Sequence, residues 1–380
     1  MTKKIIRIIA RLNIGGPTIH VSNLNYYLDK QYGYTSTLIY GSLAEGEGSM
    51  EYKATEKNLK TILIPELGRE ISLIKDIATI WKLYKLLRKE KPDIVHTHTA
   101  KAGTVGRIAA RMALVPQVYH TFHGHIFHSY FSPLKTKIFI FIERFLSLLS
   151  TKIIVISEKQ KEEILSFGIA PENKLTVIPL GFELNTFRLV ENYWHKAYSI
   201  PQHIKLIGIV GRLVPVKNHM FFMECAKAIA NKRSDVAFII IGDGELKESL
   251  EAKAKQLDLA HMVIFPGFLT DLSRIYSDLD IVTLTSDNEG TPVTLIEAMA
   301  LGKPVVSMAV GGISDIIEDG VMGHLVYARN AAVFAAKVID LLDNPPKAQQ
   351  FGAAAKTKTL SRFGIQRLVQ DIHTLYQANT

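Results

Sequence analysis

The feature that most constrains this chain is a series of short runs rich in isoleucine, valine and leucine, separated by helical segments, that restarts midway. The first series covers residues 4–10, 35–40, 61–64, 93–96, 117–122, 152–156 and 175–178. These runs do not alternate apolar with polar residues. Each therefore reads as a strand buried on both faces, and helices between such strands make a parallel sheet covered on both sides. Residues 183–203 show neither period, and the pattern resumes at 205–210, 236–241, 262–265, 280–284 and 304–307. Two doubly wound α/β domains are predicted, and 380 residues is a length that two such cores need. The expected bounds are 1–183 for the first domain, 184–203 for a hinge or linker, and 204–360 for the second, with Pro179, Gly181 and Pro201 punctuating the junction. In residues 361–380, Ile365, Leu368, Val369, Ile372, Leu375 and Tyr376 fall at helical spacing, which predicts an amphipathic helix crossing back to the first domain. The Gly- and Glu-rich stretch 42–51 reads as a mobile surface loop remote from any chemistry.

Composition excludes several function classes. No stretch offers the roughly 18 to 20 apolar residues of a membrane span; the richest, residues 138–149, carries Glu143 and Arg144. The N-terminal run is too short and too charged for a signal-peptide core, so a cytoplasmic protein is expected. Cys225 is the single cysteine and lies in an apolar helical pattern, which reads as a buried structural thiol. The formal charge of +9 belongs to the first half: residues 1–180 hold 25 Lys and Arg against 15 Asp and Glu, and the rest hold 20 against 21. Such asymmetry points to an anionic partner for the first domain.

Open parallel sheets bind ligands beyond the carboxyl ends of their strands. In the first domain that position carries Gly15 and Gly16, which let a backbone approach a phosphate ahead of a helix N-terminus. The dinucleotide fingerprint is absent here, and at Gly242 and Gly244 its third position is Lys247, which argues against a dehydrogenase. In the second domain the first strand ends in Gly211, Arg212 and Leu213, with Lys217 five residues beyond the arginine, a pair able to neutralise a diphosphate. The stretch from Ser286 to Ala300 is the most informative. Thr291 fits a helix cap and Pro292 a first helical residue, so Glu289 falls on the loop before a helix and Glu297 on its second turn. Two carboxylates so placed can accept hydrogen bonds from hydroxyl groups.

Taken in order, these residues resemble the retaining glycosyltransferases of family 4, which have the GT-B fold. The match runs through Gly15-Gly16, His120 to His125, Ile178 to Gly181, Gly211 to Leu213 with Lys217, Gly242 to Gly244, Pro266 to Phe268, Glu289 with Glu297, and Gly311-Gly312. The resemblance implies two Rossmann-like domains facing across a cleft. Arg212 and Lys217 would grip the diphosphate of a nucleotide sugar, expected to be UDP-linked, Glu289 would contact the transferred sugar, and Glu297 the ribose. Backbone from Gly290 and Thr291 through Val293 and Thr294, with Gly15 and Gly16, would meet phosphate and sugar, and Gly267 with Phe268 would read the base. Glu289, His123, Arg212 and Lys217 are the catalytic set implied. The family's Asn-Gly-Val-Asp is replaced here by Leu180, Gly181, Phe182 and Glu183, so Glu183 receives no ligand role.

His96, His98, His120, His123, His125 and His128 cluster without the cysteine or carboxylate spacing of a metal site, and no metal cofactor is expected. By resemblance His123 lies beside the donor sugar. His125 is the second choice and, with Lys101, a candidate for meeting an acceptor phosphate. Asp278-Leu279-Asp280 spells an Asp-x-Asp metal motif but precedes a buried strand, where Asp280 reads as a turn residue. Segments 74–91 and 134–149 carry apolar residues interleaved with lysine and fit either packing on the sheet or contact with anionic lipid at the inner membrane face. The expected function is transfer of a hexose or N-acetylhexosamine to a lipid-linked glycan acceptor of surface polysaccharide, with no nucleic-acid partner, since few aromatics accompany the basic clusters. A UDP-sugar 2-epimerase of the same fold and a non-catalytic basic binding protein remain as alternatives.

Overall fold

The computed structural model describes residues 2–68, 72–124, 133–185 and 188–378, and these form two compact units. Unit 1 holds the chain up to Phe182 together with everything from Ile365; unit 2 holds Glu183–Gly364.

Unit 1 runs β1 (Lys4–Arg11), α1 (Gly16–Tyr32), β2 (Thr35–Gly41), α2 (Tyr52–Glu56), β3 (Thr61–Leu63), α3 (Leu73–Glu90) and β4 (Ile94–His98). It continues with α4 (Ala100–Met112), β5 (Gln117–Thr121), α5 (Pro133–Leu148), β6 (Lys152–Val155), α6 (Glu158–Ser166) and β7 (Leu175–Val177). The sheet is parallel in the order β3-β2-β1-β4-β5-β6-β7. Residues Ile5 to Ala10, and all of β4 and β5, are buried, as non-alternating runs require.

Unit 2 opens with α7 (Tyr193–Ala197), then β8 (Lys205–Val210), α8 (His219–Ala230), β9 (Val236–Ile241), α9 (Lys247–Gln256), β10 (Val263–Gly267) and α10 (Leu272–Ile275). After these come β11 (Ile281–Leu284), α11 (Val293–Ala300), β12 (Val305–Met308), β13 (His324–Val326), α12 (Ala331–Asp343) and α13 (Pro345–Phe363). Its sheet is parallel in the order β10-β9-β8-β11-β12-β13. Strand β13 has only three residues and lies outside the runs read from the sequence. Cys225 is fully buried in this unit's core, and burial pushes its thiol up to about 12, an inert group.

The last helix, α14 (Ile365–Gln377), returns to unit 1. Its Leu368, Val369, Ile372 and Tyr376 pack with Ile5, Leu24, Ile94 and Tyr119. Arg367 donates to the carbonyls of Pro179 and Leu180 at 2.8 and 2.6 Å, and Tyr376 Oη lies 2.7 Å from His96 Nδ1. A Cβ on Gly181 would sit 2.4 Å from Cβ of Leu368, so the chain admits the helix there only because residue 181 lacks a side chain.

Two segments make contacts that the local expectations did not include. In segment 184–203, expected to be a hinge or linker, Trp194 is fully buried, its backbone N–H donates to Asp278 at 3.0 Å, and His195 also bonds that carboxylate. Segment 42–51 is pinned against the glycine loop. Ile14 N–H donates to the Gly48 carbonyl at 3.1 Å, Met50 N–H to that of Leu12 at 2.8 Å, and Arg11 pairs with Glu47 at 2.7 Å.

The Asp-x-Asp sequence has a structural explanation. Asp278 receives the α7 amides, and Asp280 accepts from Leu206 N–H at 2.8 Å and Lys205 Nζ at 3.1 Å. Replacing Asp278 by alanine strips partly buried donors of their acceptor and is expected to lower stability by about 1–3 kcal/mol. Chemical denaturation should report that loss with the KM of any substrate unmoved; a change in metal response with stability intact would restore the metal reading.

Candidate functional site

In each sheet the strand order reverses at one point, between β1 and β4 and between β8 and β11, and ligands of open parallel sheets lodge beyond the strands there. Both points carry residues singled out above.

In unit 2, Gly211 and Arg212 follow β8 directly, with Arg212 exposed. The loop continues through Lys217 to Asn218, whose Oδ1 caps α8 by accepting from Phe221 N–H at 3.2 Å. Asn218 also donates to Asp287 at 2.8 Å, and Thr285 donates to the Asn218 carbonyl at 3.1 Å, so this loop is fastened to the end of β11. The fastening brings Lys217 Nζ to 2.5 Å from Glu289 Oε1, and Ser286 Oγ donates to the same oxygen at 2.6 Å. Glu289 is 8% exposed, so its carboxylate meets these two partners more than water.

Behind Glu289 lies a backbone too close for side chains. A Cβ on Gly311, whose φ is +56°, would stand 1.9 Å from the Glu289 carbonyl oxygen, and one on Gly312 would stand 2.1 Å from that of Gly290. Gly312 N–H donates to the Glu289 carbonyl at 2.8 Å, which fixes the loop's height. On the other flank, Gly242 takes φ +146°, and a Cβ there would fall 1.9 Å from the Gly211 oxygen.

Helix α11 begins one residue later than expected. Pro292 occupies the capping position with an extended backbone, and Thr291 precedes it. No side chain caps this helix, whereas Asn218 and Asn330 cap α8 and α12, and an uncapped N-terminus presents its first amides to a ligand. Val293 and Thr294 supply the first two of these amides, with Gly290 and Thr291 leading in. Glu297, on the second turn, accepts from Tyr276 Oη at 2.9 Å, and that hydroxyl also lies 3.0 Å from the Thr294 carbonyl. A phenol has one proton to donate. Tyr276 therefore serves one acceptor at a time, and Glu297 competes with the Thr294 carbonyl for that proton. Burial, which disfavours the carboxylate, pushes Glu297 up to about 7, against a smaller opposing pull from Tyr276. Gly267 has φ +83° and Phe268 beyond it is 56% exposed, a flat apolar face.

In unit 1, Gly15 precedes α1 and Gly16 opens it, with no side-chain cap there; Gly15 N–H points at Met50 Sδ at 3.4 Å. His98 Nδ1 lies 2.9 Å from His123 Nε2, and His20, unnoticed in the sequence, stacks edge-on against His123 at 4.9 Å between ring centres. His20 follows Gly16 by four residues, one helical turn, which was the available signal. One ligand nitrogen from each ring lies within 4.8 Å of the others, the one group among the described residues spaced to hold a metal ion. Burial lowers His20 and His98 well below the usual histidine value and His123 to about 4, so all three are neutral at pH 7. After burial, His123 and His96 lower His20 further, and then Arg7 and Arg367, two cations whose field opposes a dication. Lys101 is not presented openly: its Nζ lies 2.9 Å from Asp76 and 3.1 Å from the Glu66 carbonyl, tying α4 to α3. His125 and His128 lie outside the described residues.

The family model described as glycosyl transferases group 1 matches residues 191–358, and that described as Glycosyltransferase Family 4 matches residues 14–186. The UDP-Gal:alpha-D-GlcNAc-diphosphoundecaprenol alpha-1,3-galactosyltransferase of Escherichia coli is 32% identical over 327 residues, covering 84% of each chain. The capsular polysaccharide biosynthesis glycosyltransferase CapM of Staphylococcus aureus is 28% identical over 82% of this chain and 83% of its own. Among solved structures, Anabaena HepE in complex with UDP aligns over 99% of this chain and 100% of its own, with a TM-score of 0.84 and 20% identity. The same protein bound to UDP-glucose aligns over 99% of either chain with a TM-score of 0.80 and 19% identity.

Proposed function

This chain belongs to the group 1 glycosyltransferases and has the GT-B fold, and from that premise we propose that it transfers a hexose or N-acetylhexosamine from a UDP-sugar to a lipid-linked glycan, with retention at the anomeric carbon. The observation that carries the reading is the network of Lys217, Ser286 and Glu289 at the switch point of unit 2, with Glu297 on the adjoining helix.

In this reading Arg212 and Lys217 neutralise the donor diphosphate, helped by the amides of Val293 and Thr294. They supply the charge stabilisation that a metal ion supplies in other transferases. Glu289 accepts from hydroxyls of the transferred sugar, Glu297 accepts from the ribose diol, and Phe268 lies along the base. His123, neutral and therefore able both to donate and to accept, is assigned to the transferred sugar, together with the backbone amides of Gly15 and Gly16. The bond from the anomeric carbon to the phosphate oxygen breaks, and the acceptor oxygen bonds the same face of that carbon. The acceptor's proton passes to the departing phosphate, so no enzyme nucleophile is needed. The E. coli relative, whose name specifies a diphosphoundecaprenol acceptor, supports a polyprenyl diphosphate glycan of bacterial surface polysaccharide. In this reading the protein works at the cytoplasmic face of a membrane, held peripherally by its basic first unit.

The test is a screen of labelled UDP-sugars against membrane lipid extract, run in EDTA, with the anomer of the product read by NMR. Transfer with retention is expected, together with UDP binding by calorimetry in the same buffer. Failure to bind UDP would remove the donor site, loss of turnover in EDTA would remove the metal-free mechanism, and an inverted product would remove retention.

A further inference from the structure

Helix α3 is apolar on two sides. Leu83 and Leu87 enter the core of unit 1, while Leu73, Ile74, Ile77 and Trp81 stand in solvent, Ile74 83% exposed. At 100° per residue these four span about a quarter of the helix circumference, one continuous outward stripe rather than scattered exposures. Helix α5 repeats the arrangement. Ile138, Phe141, Phe145 and Leu148, spaced by three, four and three residues, form a second outward stripe, with Phe141 73% exposed. Both helices pack against α4, so the stripes belong to one helical layer of unit 1. Apolar stripes left exposed among the described residues mark an interaction surface.

The charges choose the occupant. Exposed basic residues flank the stripes: Lys75, Lys82, Lys85, Arg88 and Lys89 on α3, and Lys137 and Arg144 on α5. The acidic residues of the two helices are engaged inward: Asp76 pairs with Lys101, Glu90 with Lys4, and Glu143 with Arg107 in a buried pair at 2.7 Å. A second copy docked by twofold symmetry would set these basic rims against each other. An anionic bilayer accepts both features, the apolar residues entering the acyl boundary and the lysine and arginine heads reaching phosphate. No helix among the described residues is long and apolar enough to cross a membrane.

We propose that the α3–α5 layer of unit 1 is a membrane-docking face that inserts Ile74, Ile77, Trp81, Phe141 and Phe145 into an anionic phospholipid surface. The inference deepens the reading of a lipid-linked acceptor and rests on it for its purpose. The binding itself is read without donor or acceptor, so the two fail separately.

Flotation of the full chain with vesicles of phosphatidylcholine, alone or with about 30% phosphatidylglycerol, tests it. Binding to the anionic vesicles is expected to be at least about 10-fold tighter. The double variant Ile77→Glu/Phe141→Glu, at two exposed sites, should lose that binding about 10-fold or more while thermal unfolding and UDP affinity stay unchanged. Lys85→Glu/Lys89→Glu should lose the anionic preference. Wild-type protein that ignores both vesicle types overturns the proposal, as does a Glu double variant that binds like wild type. So does a wild-type dimer in sedimentation that this variant turns into monomer.

Discussion

Glutamine at position 297 is expected to stabilise the ligand-free protein in alkaline solution and to cripple nucleotide binding. Burial raises Glu297 to about 7 from an ordinary 4.5, so between those values the native state holds a proton that the unfolded chain has released. The sign follows: stability falls as pH climbs through that window, and above it the native state carries the full cost of a poorly hydrated carboxylate. A difference of about 2.5 units corresponds to roughly 3 kcal/mol, an upper figure because Glu297 is partly exposed. Glu297→Gln removes that cost, so its advantage over wild type should approach about 3 kcal/mol at pH 8 and vanish near pH 4.5. The ribose diol, in contrast, needs an acceptor for two hydrogen bonds, which only the carboxylate offers. Wild-type UDP affinity should therefore rise with pH, by up to about tenfold per unit below 7, and level off above it, with a proton released on binding. In the glutamine variant the pH slope should disappear, and affinity at pH 8 should drop about 100-fold, the loss of two charge-assisted hydrogen bonds. Denaturation curves and calorimetry in buffers of different ionisation heat measure these quantities. An unchanged pH slope in the variant would remove Glu297 from the ribose.

Alanine at position 311 should cost catalysis more than binding. Its Cβ would fall 1.9 Å from the Glu289 carbonyl oxygen and 3.0 Å from Asn288 Oδ1, in a backbone conformation, φ +56°, that side chains resist. The left-handed conformation alone costs roughly 1–2 kcal/mol. The clash adds to it unless the 288–290 loop retreats by an ångström or more. That retreat would pull Glu289 from Lys217 and Ser286, and a displacement of this size at a reacting centre costs about 100-fold in turnover. UDP affinity should change less, because Glu297 stands on a different element. Gly320→Ala is the control: φ is +76° there, but nothing lies within 4 Å of the added carbon. It should lose about 1 kcal/mol of stability and none of the activity. Equal losses of turnover in the two variants would show that the steric contact behind Glu289 has no catalytic consequence.

Much of the fold was legible because both sheets are parallel and buried on two faces, which writes most strands as short runs rich in apolar residues that do not alternate with polar ones. The candidates for the proposed donor site could be named for a related reason: open parallel sheets take ligands beyond the carboxyl ends of their strands, and Arg212, Lys217, Glu289 and Glu297 fall at or after such ends. The Lys217–Glu289 contact in the structure joins two of them across 72 positions of sequence.

What sequence could not supply were features defined by a partner distant along the chain. Segment 42–51 looked loose because Gly and Glu favour surface loops, yet Leu12, Ile14 and Arg11 hold it. Tyr276 showed no mark of its role, since only folding sets its hydroxyl 2.9 Å from Glu297. His20 joined His98 and His123 only when α1, β4 and β5 were brought side by side. Sequence by itself determined the two sheets, their strand polarity and the chemical types at the switch points, because these follow from local period and hydrophobic burial. Tertiary structure decided which side chains meet, how far burial shifts Glu297 and which apolar faces stay uncovered, because proximity and desolvation depend on residues that the chain brings together only on folding.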